Sequence, residues 1–255
     1  MLLAEALGSG AEIEAVFAEP GADEAVLARA RAAGVVVTEV AEGALRKVLD
    51  VVTPQSVVAV AAIRRASLAD LVDLAAARGR PLLVLVELQD PGNAGTLVRV
   101  AEAAGCAGVV LSTASVDPWN PKAVRASAGS LFRVPVCVDV APAEVTAACA
   151  AAGVATVATV PRGAAAPELV DLGGAVALLV GSEAHGLPAG IEAAATVRVG
   201  IPMEGGVESL NAGVAGALLA FEAARQRRQG GDSGSDGGAG VGQNGAPPAQ
   251  EPPDE

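Results

Sequence analysis

The sequence contains few cysteines, aromatic residues and histidines. Its three cysteines, Cys106, Cys137 and Cys149, are odd in number and widely spaced, so neither a disulfide framework nor a zinc site is expected. His185 is the only histidine and has no Cys or His partner at ligand spacing. The scarcity of aromatics and of Lys accompanies an abundance of Ala, Val and Arg, which we attribute to genome composition. These absences favour reduced, buried thiols and no bound metal.

Long apolar runs are also missing, although 52% of the residues are hydrophobic. No apolar run reaches the roughly 18 residues of a membrane-spanning helix. Residues 1–10 carry Glu5 and no basic residue, so they lack the charged and apolar regions of a signal peptide. We therefore expect a cytoplasmic protein.

Positive charge is in short supply. The chain has 17 Lys and Arg against 29 Asp and Glu, which gives a formal net charge of -12. Five acidic residues and no basic residue fall within residues 229–255, so residues 1–228 carry a net charge of -7. A nucleic-acid partner would therefore have to contact local basic patches, because there is no general positive field.

Residues 1–63 alternate helix-like segments with short apolar runs, which is typical of a small α/β domain. The apolar runs predict strands at residues 14–18, 35–40 and 56–61. The first helix-like segment begins almost at Met1, so the opening strand that such a domain ordinarily has is expected to be absent from this chain. Residues 64–81 form a predicted linker with a helical pattern.

Residues 82–228 alternate strands and helices more regularly. Short runs that are apolar almost throughout are typical of strands covered on both faces, which predicts an α/β domain with a mostly parallel sheet and helices on both faces. Residues 229–255 are rich in Gly, Pro, Ser and acid and are predicted to be a disordered tail. The five predicted strands lie at residues 82–86, 108–111, 134–138, 154–158 and 175–180.

Three loops at the carboxyl ends of predicted strands are rich in Gly and polar residues, and parallel sheets bind ligands at that edge. In the first loop, the break at Pro91-Gly92 precedes a helix predicted from about Ala94. Asn93 is then expected at its N-cap, with Arg99 two turns inside. An Arg in a helix of small apolar residues reaches a solvated rim, pairs with an acid such as Glu102 or Glu183, or serves a site.

The second loop, residues 181–186, follows a predicted strand at once, so Glu183 is expected at the edge of the sheet. Gly181 permits the close approach of a ligand or of another backbone segment. In the third loop, residues 200–211, Ser209 precedes a helix-like run and taken alone is expected only to cap that helix. The dinucleotide fingerprint, the Walker loop and the nucleophile elbow are not present in these loops.

Together the three loops match a family pattern. The motifs are Asn93-x-Gly95-x-x-x-Arg99, then Gly181-Ser182-Glu183-x-x-Gly186-Leu187, then Ile201-Pro202-Met203 through Ser209-Leu210-Asn211. In order, spacing and context they closely resemble the three motifs of the SpoU/TrmH class of RNA 2′-O-ribose methyltransferases, in the SPOUT superfamily. Residues 117–132 also resemble that class, and residues 1–63 resemble the substrate-binding domain attached to many of its members, notably at residues 53–60.

The resemblance implies a catalytic domain with a C-terminal trefoil knot, a rare exception to unknotted chains. It also implies S-adenosylmethionine as cofactor, no metal, and a homodimer. By position, Gly181, Ile201, Met203 and Leu210 would bind the cofactor. The residues that match the active-site set of the family are Asn93, Arg99, Glu183, Ser209 and Asn211.

Methyl transfer to a ribose 2′-hydroxyl is an in-line displacement, so the site must orient that oxygen and help its proton leave. A guanidinium stays protonated in proteins. We therefore favour a role for Arg99 at the adjacent phosphate and the developing alkoxide, with Glu183 orienting Arg99. Lys122 and Arg125 are expected to be further RNA contacts, or alternatively part of a solvated helix face.

The sequence thus predicts an S-adenosylmethionine-dependent RNA ribose 2′-O-methyltransferase. The small domain at the N-terminus favours ribosomal RNA over transfer RNA as substrate. The alternatives are a transfer RNA ribose methyltransferase, base methylation within the same superfamily, and a catalytically inactive protein that binds RNA or S-adenosylmethionine. The acidic body and the shortened N-terminal domain are the features that favour the inactive alternative.

Overall fold

The computed structural model describes residues 2–49 and 55–232. Its first part contains a small sheet of three strands in the order β2-β1-β3, with β2 parallel and β3 antiparallel to β1. Each strand corresponds to one of the three predicted apolar runs. The elements are α1 (Leu2–Ser9), β1 (Ile13–Ala18), α2 (Glu24–Ala32), β2 (Val37–Glu39), α3 (Ala44–Val48) and β3 (Val57–Ala61).

The second part is built on a sheet of six strands in the order β6-β5-β4-β8-β7-β9, and every neighbouring pair is parallel. This confirms the predicted α/β class. The elements are α4 (Leu68–Arg78), β4 (Leu82–Leu85), α5 (Pro91–Ala104), β5 (Gly108–Ser112), α6 (Pro121–Ala126), β6 (Val136–Val140), α7 (Pro142–Ala151), β7 (Ala155–Thr159), β8 (Val176–Val180), α8 (Ala189–Ala194), β9 (Val197–Val199) and α9 (Ala212–Asp232).

Both faces of the six-stranded sheet are covered by helices. Leu83 and Leu85 of β4 pack into a cluster with α5 and α9, whereas Leu82 and Val84 pack into a cluster with α4 and α7. All four side chains are fully buried, and each such burial contributes about 1.5–3 kcal/mol. Because neither face needs a polar side chain, the strands could be recognised as continuous apolar runs.

The strand order reverses direction between β4 and β8. On one side of β4 lie β5 and then β6. On the other side lie β8, β7 and β9, in that spatial order. In open parallel sheets, the crevice outside the carboxyl ends of the strands at such a switch point is where ligands bind. The loops that follow β4 and β8 both carry predicted site residues.

Glycines allow the helices over this switch point to pack closely. A Cβ atom at Gly95 of α5 would lie 2.2 Å from the carbonyl oxygen of Ala123 in α6. A Cβ atom at Gly216 of α9 would lie 2.7 Å from Leu97 Cδ2 of α5. Both distances are shorter than real contacts. A side chain at position 95 would collide with backbone, so the approach of α5 to α6 requires glycine there, whereas at position 216 the Leu97 side chain would have to move.

An ion pair and a backbone hydrogen bond are among the contacts that join the first part of the chain to the second. Arg133 forms an ion pair with Glu5 of α1 at 2.9 Å and a second ion pair with Glu102 of α5. In the connecting segment, the Ala66 backbone N–H donates to the Val136 carbonyl at 2.9 Å. The small sheet is therefore fixed against the end of the large sheet that carries β6.

Some predictions about chain organisation are refined or lie outside the described residues. Helix α9 continues to Asp232, four residues into the segment predicted as a tail from Gln229. The rest of that tail, and Thr53 and Pro54 of the matched N-terminal stretch, are outside the described residues. The trefoil knot stays a prediction. No helix in residues 2–49 or 55–232 is long and apolar enough to cross a membrane.

The Gly95→Ala variant should be destabilised by about 1–3 kcal/mol, because its methyl group would overlap a backbone oxygen that cannot move away. Urea denaturation measures the change. Gly190→Ala is the matched control, since a Cβ atom there has nothing within 4 Å and the residue lies in α8. Equal stability of the two variants would contradict the packing described for α5 and α6.

Candidate active site

The polar centre of the site is a hydrogen bond between the loops that follow β4 and β8. The Asn93 Nδ2 atom donates to Glu183 Oε1 at 2.7 Å, and the Gln89 backbone N–H makes a longer contact of 3.5 Å with Glu183 Oε2. An ionised carboxylate only accepts hydrogen bonds, so it fixes the Asn93 amide with its nitrogen toward Glu183. The Oδ1 atom of Asn93 is left facing away from Glu183.

The N-cap of α5 is Asp90, so the prediction that Asn93 occupies this position was wrong. Asp90 Oδ1 accepts from the Asn93 backbone N–H at 2.7 Å, and the helix begins at Pro91. Proline is well suited to the first helical position, whereas the sequence reading took Pro91-Gly92 as a break. Asn93 therefore lies inside the first turn and projects from a rigid element.

Asp90 is also joined to α6. Its Oδ2 atom accepts from Lys122 Nζ at 2.9 Å. This hydrogen bond, followed by the one from the Asn93 backbone N–H, lowers the pKa of the Asp90 carboxyl below its ordinary value. Lys122, which was predicted to contact RNA, is thus held beside the start of α5 by an exposed ion pair.

The third loop places Asn211 at the N-cap of α9, where Ser209 had been expected. Asn211 Oδ1 accepts from the Val214 backbone N–H at 3.2 Å, and the Asn211 carbonyl accepts from the Ala215 N–H at 2.9 Å. Ser209 is exposed two residues earlier. Because Oδ1 is occupied by the cap, the amide nitrogen of Asn211 remains available as a donor.

Gly213 brings the two asparagines together. A Cβ atom at this position would lie 3.0 Å from Asn93 Oδ1 and 3.0 Å from Asn211 Oδ1. Both asparagine side chains therefore pack against Gly213, where α9 has no side chain. The structure brings Asn93, Glu183 and Asn211 close together, and their catalytic role stays a prediction.

A cavity of about 350 Å³ adjoins this point at the carboxyl ends of β7 and β8. Its size falls within the range of about 300–1,000 Å³ usual for small-molecule sites. The wall includes all four residues predicted to bind the cofactor, together with Glu183 and Ser209 of the predicted catalytic set. The four are Gly181, Ile201, Met203 and Leu210.

Thr159, at the end of β7, also lines the cavity and was missed by the sequence reading. Its Oγ1 atom is buried and has no hydrogen-bond partner among the described residues. A buried hydroxyl without a partner costs free energy, so a polar ligand atom in the cavity would satisfy it. A threonine at the end of an apolar strand is ordinary, and nothing in the sequence distinguishes this one.

Gly181 is required by the backbone of its own loop. A Cβ atom there would lie 2.2 Å from the carbonyl carbon of Gly186. The loop is closed by two backbone hydrogen bonds between Ser182 and Gly186, at 3.1 and 2.9 Å. Of the two explanations considered for this glycine, the approach of another backbone segment is the one that the structure shows.

Arg99 stands apart from the Asn93–Glu183 pair. Its side chain is exposed and makes no hydrogen bond or ion pair with the residues that the structure describes. The expected contact with Glu183 is not formed. That carboxylate accepts from Asn93 and from the Gln89 backbone N–H, and Glu102 is paired with Arg133. Arg125 of α6 is likewise exposed and unpaired within the described part of the chain.

The cysteines do not offer a nucleophile. Burial raises the pKa of Cys106 to about 12 and that of Cys149 to about 11, so both thiols are protonated at neutral pH. Burial also raises the pKa of Cys137. Over the described ranges, no group of three or more His, Cys, Asp or Glu side chains is arranged to hold a metal ion.

A parallel sheet with a polar cluster and a cavity at its switch point defines a ligand-binding α/β protein of the doubly wound kind. Comparison with known families narrows this class. Residues 80–221 match the SpoU rRNA Methylase family, and residues 2–67 match the family described as RNA 2'-O ribose methyltransferase substrate binding. The chain belongs to the SpoU rRNA methylase family.

Among curated proteins, the chain is 33% identical over 180 residues to the Bacillus subtilis 23S rRNA (guanosine(2553)-2'-O)-methyltransferase RlmP, covering 71% of this chain and 69% of that protein. It is 37% identical over 145 residues to a 23S rRNA (uridine(2479)-2'-O)-methyltransferase from Streptomyces viridochromogenes. This match covers 55% of this chain and 50% of that protein.

Among solved structures, the AdoMet-bound rRNA methyltransferase from Sinorhizobium meliloti superposes with a TM-score of 0.76 at 33% identity, covering 88% of this chain and 84% of that one. The SpoU methyltransferase AviRb from Streptomyces viridochromogenes, in complex with AdoMet, gives a TM-score of 0.76 at 29% identity and covers 89% of this chain and 88% of that one.

Replacing Asn211 by Ala should destabilise the protein by about 0.5–2 kcal/mol, because the first turn of α9 loses its side-chain cap. Ser209→Ala is the matched control and should change stability by less than about 0.5 kcal/mol, since Ser209 makes no capping bond. Urea denaturation of both variants measures the difference. A larger destabilisation in Ser209→Ala than in Asn211→Ala would indicate that Ser209 is the cap.

The Lys122→Met variant should raise the pKa of Asp90 toward its ordinary value of 3.8. Since Asp90 has a lowered pKa when folded, its pairing stabilises the fold at neutral pH, and that contribution is lost as the pH falls below 3.8 and through the folded-state pKa. Carbon NMR titration of the carboxyl groups measures the shift. Arg125→Met, in the same helix, should leave Asp90 unchanged, and an unshifted Asp90 in Lys122→Met would contradict the pairing.

Proposed function

We propose that this chain transfers a methyl group from S-adenosylmethionine to a ribose 2′-hydroxyl of RNA, with ribosomal RNA as the substrate. The observation that carries the proposal is the position of the Asn93–Glu183 hydrogen bond at the mouth of the 350 Å³ cavity, between motif residues of the family. The ribosomal RNA methyltransferases among the relatives, and the match of residues 2–67 to a substrate-binding family, support the choice of RNA.

The cavity fits the proposed cofactor. Ile201 and Leu210 line the cavity from the two ends of the third loop and would bind the cofactor through backbone groups, while Met203 would contribute an apolar wall. The unpartnered Thr159 hydroxyl supplies a polar atom for the ligand to satisfy. When bound, S-adenosylmethionine supplies an electrophilic methyl group carried on a sulfonium.

The two asparagines are suited to hold the ribose hydroxyl. A 2′-hydroxyl both donates and accepts hydrogen bonds. Asn93 presents Oδ1 as an acceptor because its nitrogen is bonded to Glu183, and Asn211 presents its amide nitrogen because its oxygen caps α9. Held between them, the hydroxyl would donate its hydrogen to Asn93 Oδ1 and keep a lone pair free for attack on the methyl group. An amide oxygen is an acceptor and not a base, so the proton would pass to water as the oxygen–methyl bond forms and the methyl–sulfur bond breaks. Ser209, at the cavity edge, would hold a neighbouring ribose or cofactor oxygen.

Arg99 is proposed to bind the phosphate beside the target ribose and to stabilise the developing alkoxide. Its guanidinium is exposed and unpaired in the described part of the chain, so no internal ion pair must break when RNA binds. Without an orienting acid, the substrate itself would position this side chain. Arg125 and Lys122 of α6 would add phosphate contacts, and they would give an acidic protein a local basic surface.

The chain is proposed to act as a homodimer through α9. Val214, Leu218 and Phe221 are spaced along one face of this helix and are each close to half exposed. An apolar stripe of this kind is uncommon on the surface of a monomer. Since Asn211 immediately precedes α9, a twofold contact along the stripe would place two active sites next to the interface.

We further infer that residues 1–63 grip the RNA, that residues 64–81 connect them to the catalytic part at 82–228, and that the enzyme works in the cytoplasm. On α3 of the small domain, Arg46 and Lys47 are both exposed and could meet phosphates. The ion pair between Glu5 and Arg133 would keep this surface at a fixed distance from the catalytic part.

Isothermal titration with S-adenosylmethionine, followed by tritiated methyl transfer to bulk ribosomal RNA and bulk transfer RNA, tests the function. We expect cofactor binding and label in ribosomal RNA, with nuclease digestion placing the methyl group on ribose. Cofactor binding without transfer to either RNA would indicate an inactive protein. A methyl group on a base would indicate base methylation, the alternative reaction within the same superfamily.

Replacing Arg99 by Lys should abolish turnover while leaving the dissociation constant for S-adenosylmethionine near that of the wild type. A single ammonium cannot reproduce the planar, bidentate contact with a phosphate. Arg78→Lys is the matched control, because Arg78 is exposed on α4 at the opposite face of the sheet. Full activity of Arg99→Lys would remove Arg99 from the proposed mechanism.

A further inference from the structure

Trp119 lies in the loop between β5 and α6 and is the only tryptophan in the chain. Its side chain is partly exposed. Hydrogen bonds hold the loop on both sides of the ring, since the Trp119 backbone N–H donates to Asp117 Oδ1 at 2.9 Å and Asn120 caps α6. The ring is therefore presented at a fixed place without being part of the core.

The Arg65 guanidinium covers one face of this ring. Its central carbon lies 5.1 Å from the ring centroid, and one of its nitrogens lies 4.0 Å from an Asp139 carboxylate oxygen. An exposed cation–π contact contributes about 0.5–1 kcal/mol, and an exposed ion pair contributes about 1 kcal/mol or less. The guanidinium is thus held weakly enough for a competing ligand to displace it.

Trp119 and Arg65 occupy the stretch between the proposed active site and the small domain. Strand β5 lies two strands from β8 in the sheet, which corresponds to roughly 10 Å. Trp119 follows β5, Asp139 lies near the end of β6, and Arg65 belongs to the segment that leads from the small domain. An RNA strand that reaches the cavity from the side of the connecting segment would meet this ring.

The side chains around Trp119 are of the kind that bind single-stranded RNA. Lys122 and Arg125 lie on the next helix, and Arg64 and Arg65 lie on the connecting segment. Single-stranded nucleic acids are bound by cations along the backbone and by aromatic rings on which bases stack. Of these cations, Arg65 contacts the ring, Lys122 is paired with Asp90, and Arg64 donates to the Gly10 carbonyl.

We propose that Trp119 is a stacking platform for an unpaired base of the RNA substrate, next to the nucleotide that is methylated. On binding, the base replaces Arg65 on the ring, and Arg65 turns to an RNA phosphate. The proposal rests on the proposed function for the class of ligand, RNA, and does not depend on methyl transfer. The competing interpretation is that Arg65 and Trp119 only fasten the connecting segment to the catalytic part.

The intrinsic fluorescence of the full chain tests the stacking directly. Because the chain has one Trp and no Tyr, indole emission reports on Trp119 alone. A dye-labelled short oligoadenylate, followed by anisotropy at low salt, should bind and quench this emission, whereas inorganic polyphosphate should not quench it. Saturated binding without quenching, or no binding of the oligoadenylate, would overturn the proposal, because base stacking tolerates any sequence.

Variants separate stacking from a structural role. Trp119→Ala should weaken oligoadenylate binding about 5- to 150-fold, which corresponds to the loss of one base–aromatic stack, and Trp119→Phe should restore most of it. Leu169→Ala is the control, since Leu169 is a large apolar side chain that is 78% exposed at another part of the surface. Wild-type affinity in Trp119→Ala, or no rescue by Phe in a variant with a normal melting curve, would show that the ring only supports the fold.

The role of Arg65 is measured by salt dependence. Arg65→Ala should lower the slope of log affinity against log salt by about 0.7, the value for one phosphate contact on a single strand, while the bound oligoadenylate still quenches Trp119. An unchanged slope would contradict the movement of Arg65 to RNA. Base-dependent quenching without methyl transfer to ribosomal RNA would contradict the proposed reaction and support the stacking role of Trp119. Methyl transfer without quenching would support the reaction and contradict the stacking role.

Discussion

The hydrogen bond between Asn93 and Glu183 is the contact on which the site depends, because it joins the loops on the two sides of the switch point. Helix α5, which carries Asn93, packs against both α6 and α9. Gly95 and Gly216 permit those approaches, and Gly213 gives the two asparagines a common place to rest. The glycines in these helices therefore determine the geometry of the site as directly as the polar side chains do.

Most of the fold could be predicted because the strands are buried on both faces. Continuous apolar runs such as residues 82–86 and 175–180 identify β4 and β8 without any knowledge of their partners. Strand β9 could not be found in this way, since it has three residues and its central Arg198 is exposed at the edge of the sheet. Its formation depends on pairing with β7, which is a tertiary contact.

The sequence predicted which residues form the site better than it predicted where each residue lies relative to its helix. The motifs identify Asn93, Glu183 and Asn211 together, but Asp90 and Asn93 have equally good N-cap chemistry, as do Ser209 and Asn211. Only the start of each helix decides between them. The expected pairing of Arg99 with Glu183 is not observed, and the side chain of α5 that bonds to this carboxylate is Asn93.

The acidity of the chain is compatible with an RNA substrate when the positions of the charges are considered. Arg99 and Arg125 remain exposed and unpaired within the described residues, near the edge of the sheet that carries the cavity and Trp119.

Mapping ribose methylation in ribosomal and transfer RNA from cells with and without this gene tests the central claim most directly. The account predicts a 2′-O-methyl group in ribosomal RNA that disappears without the gene. Identical ribose methylation in both strains would contradict it.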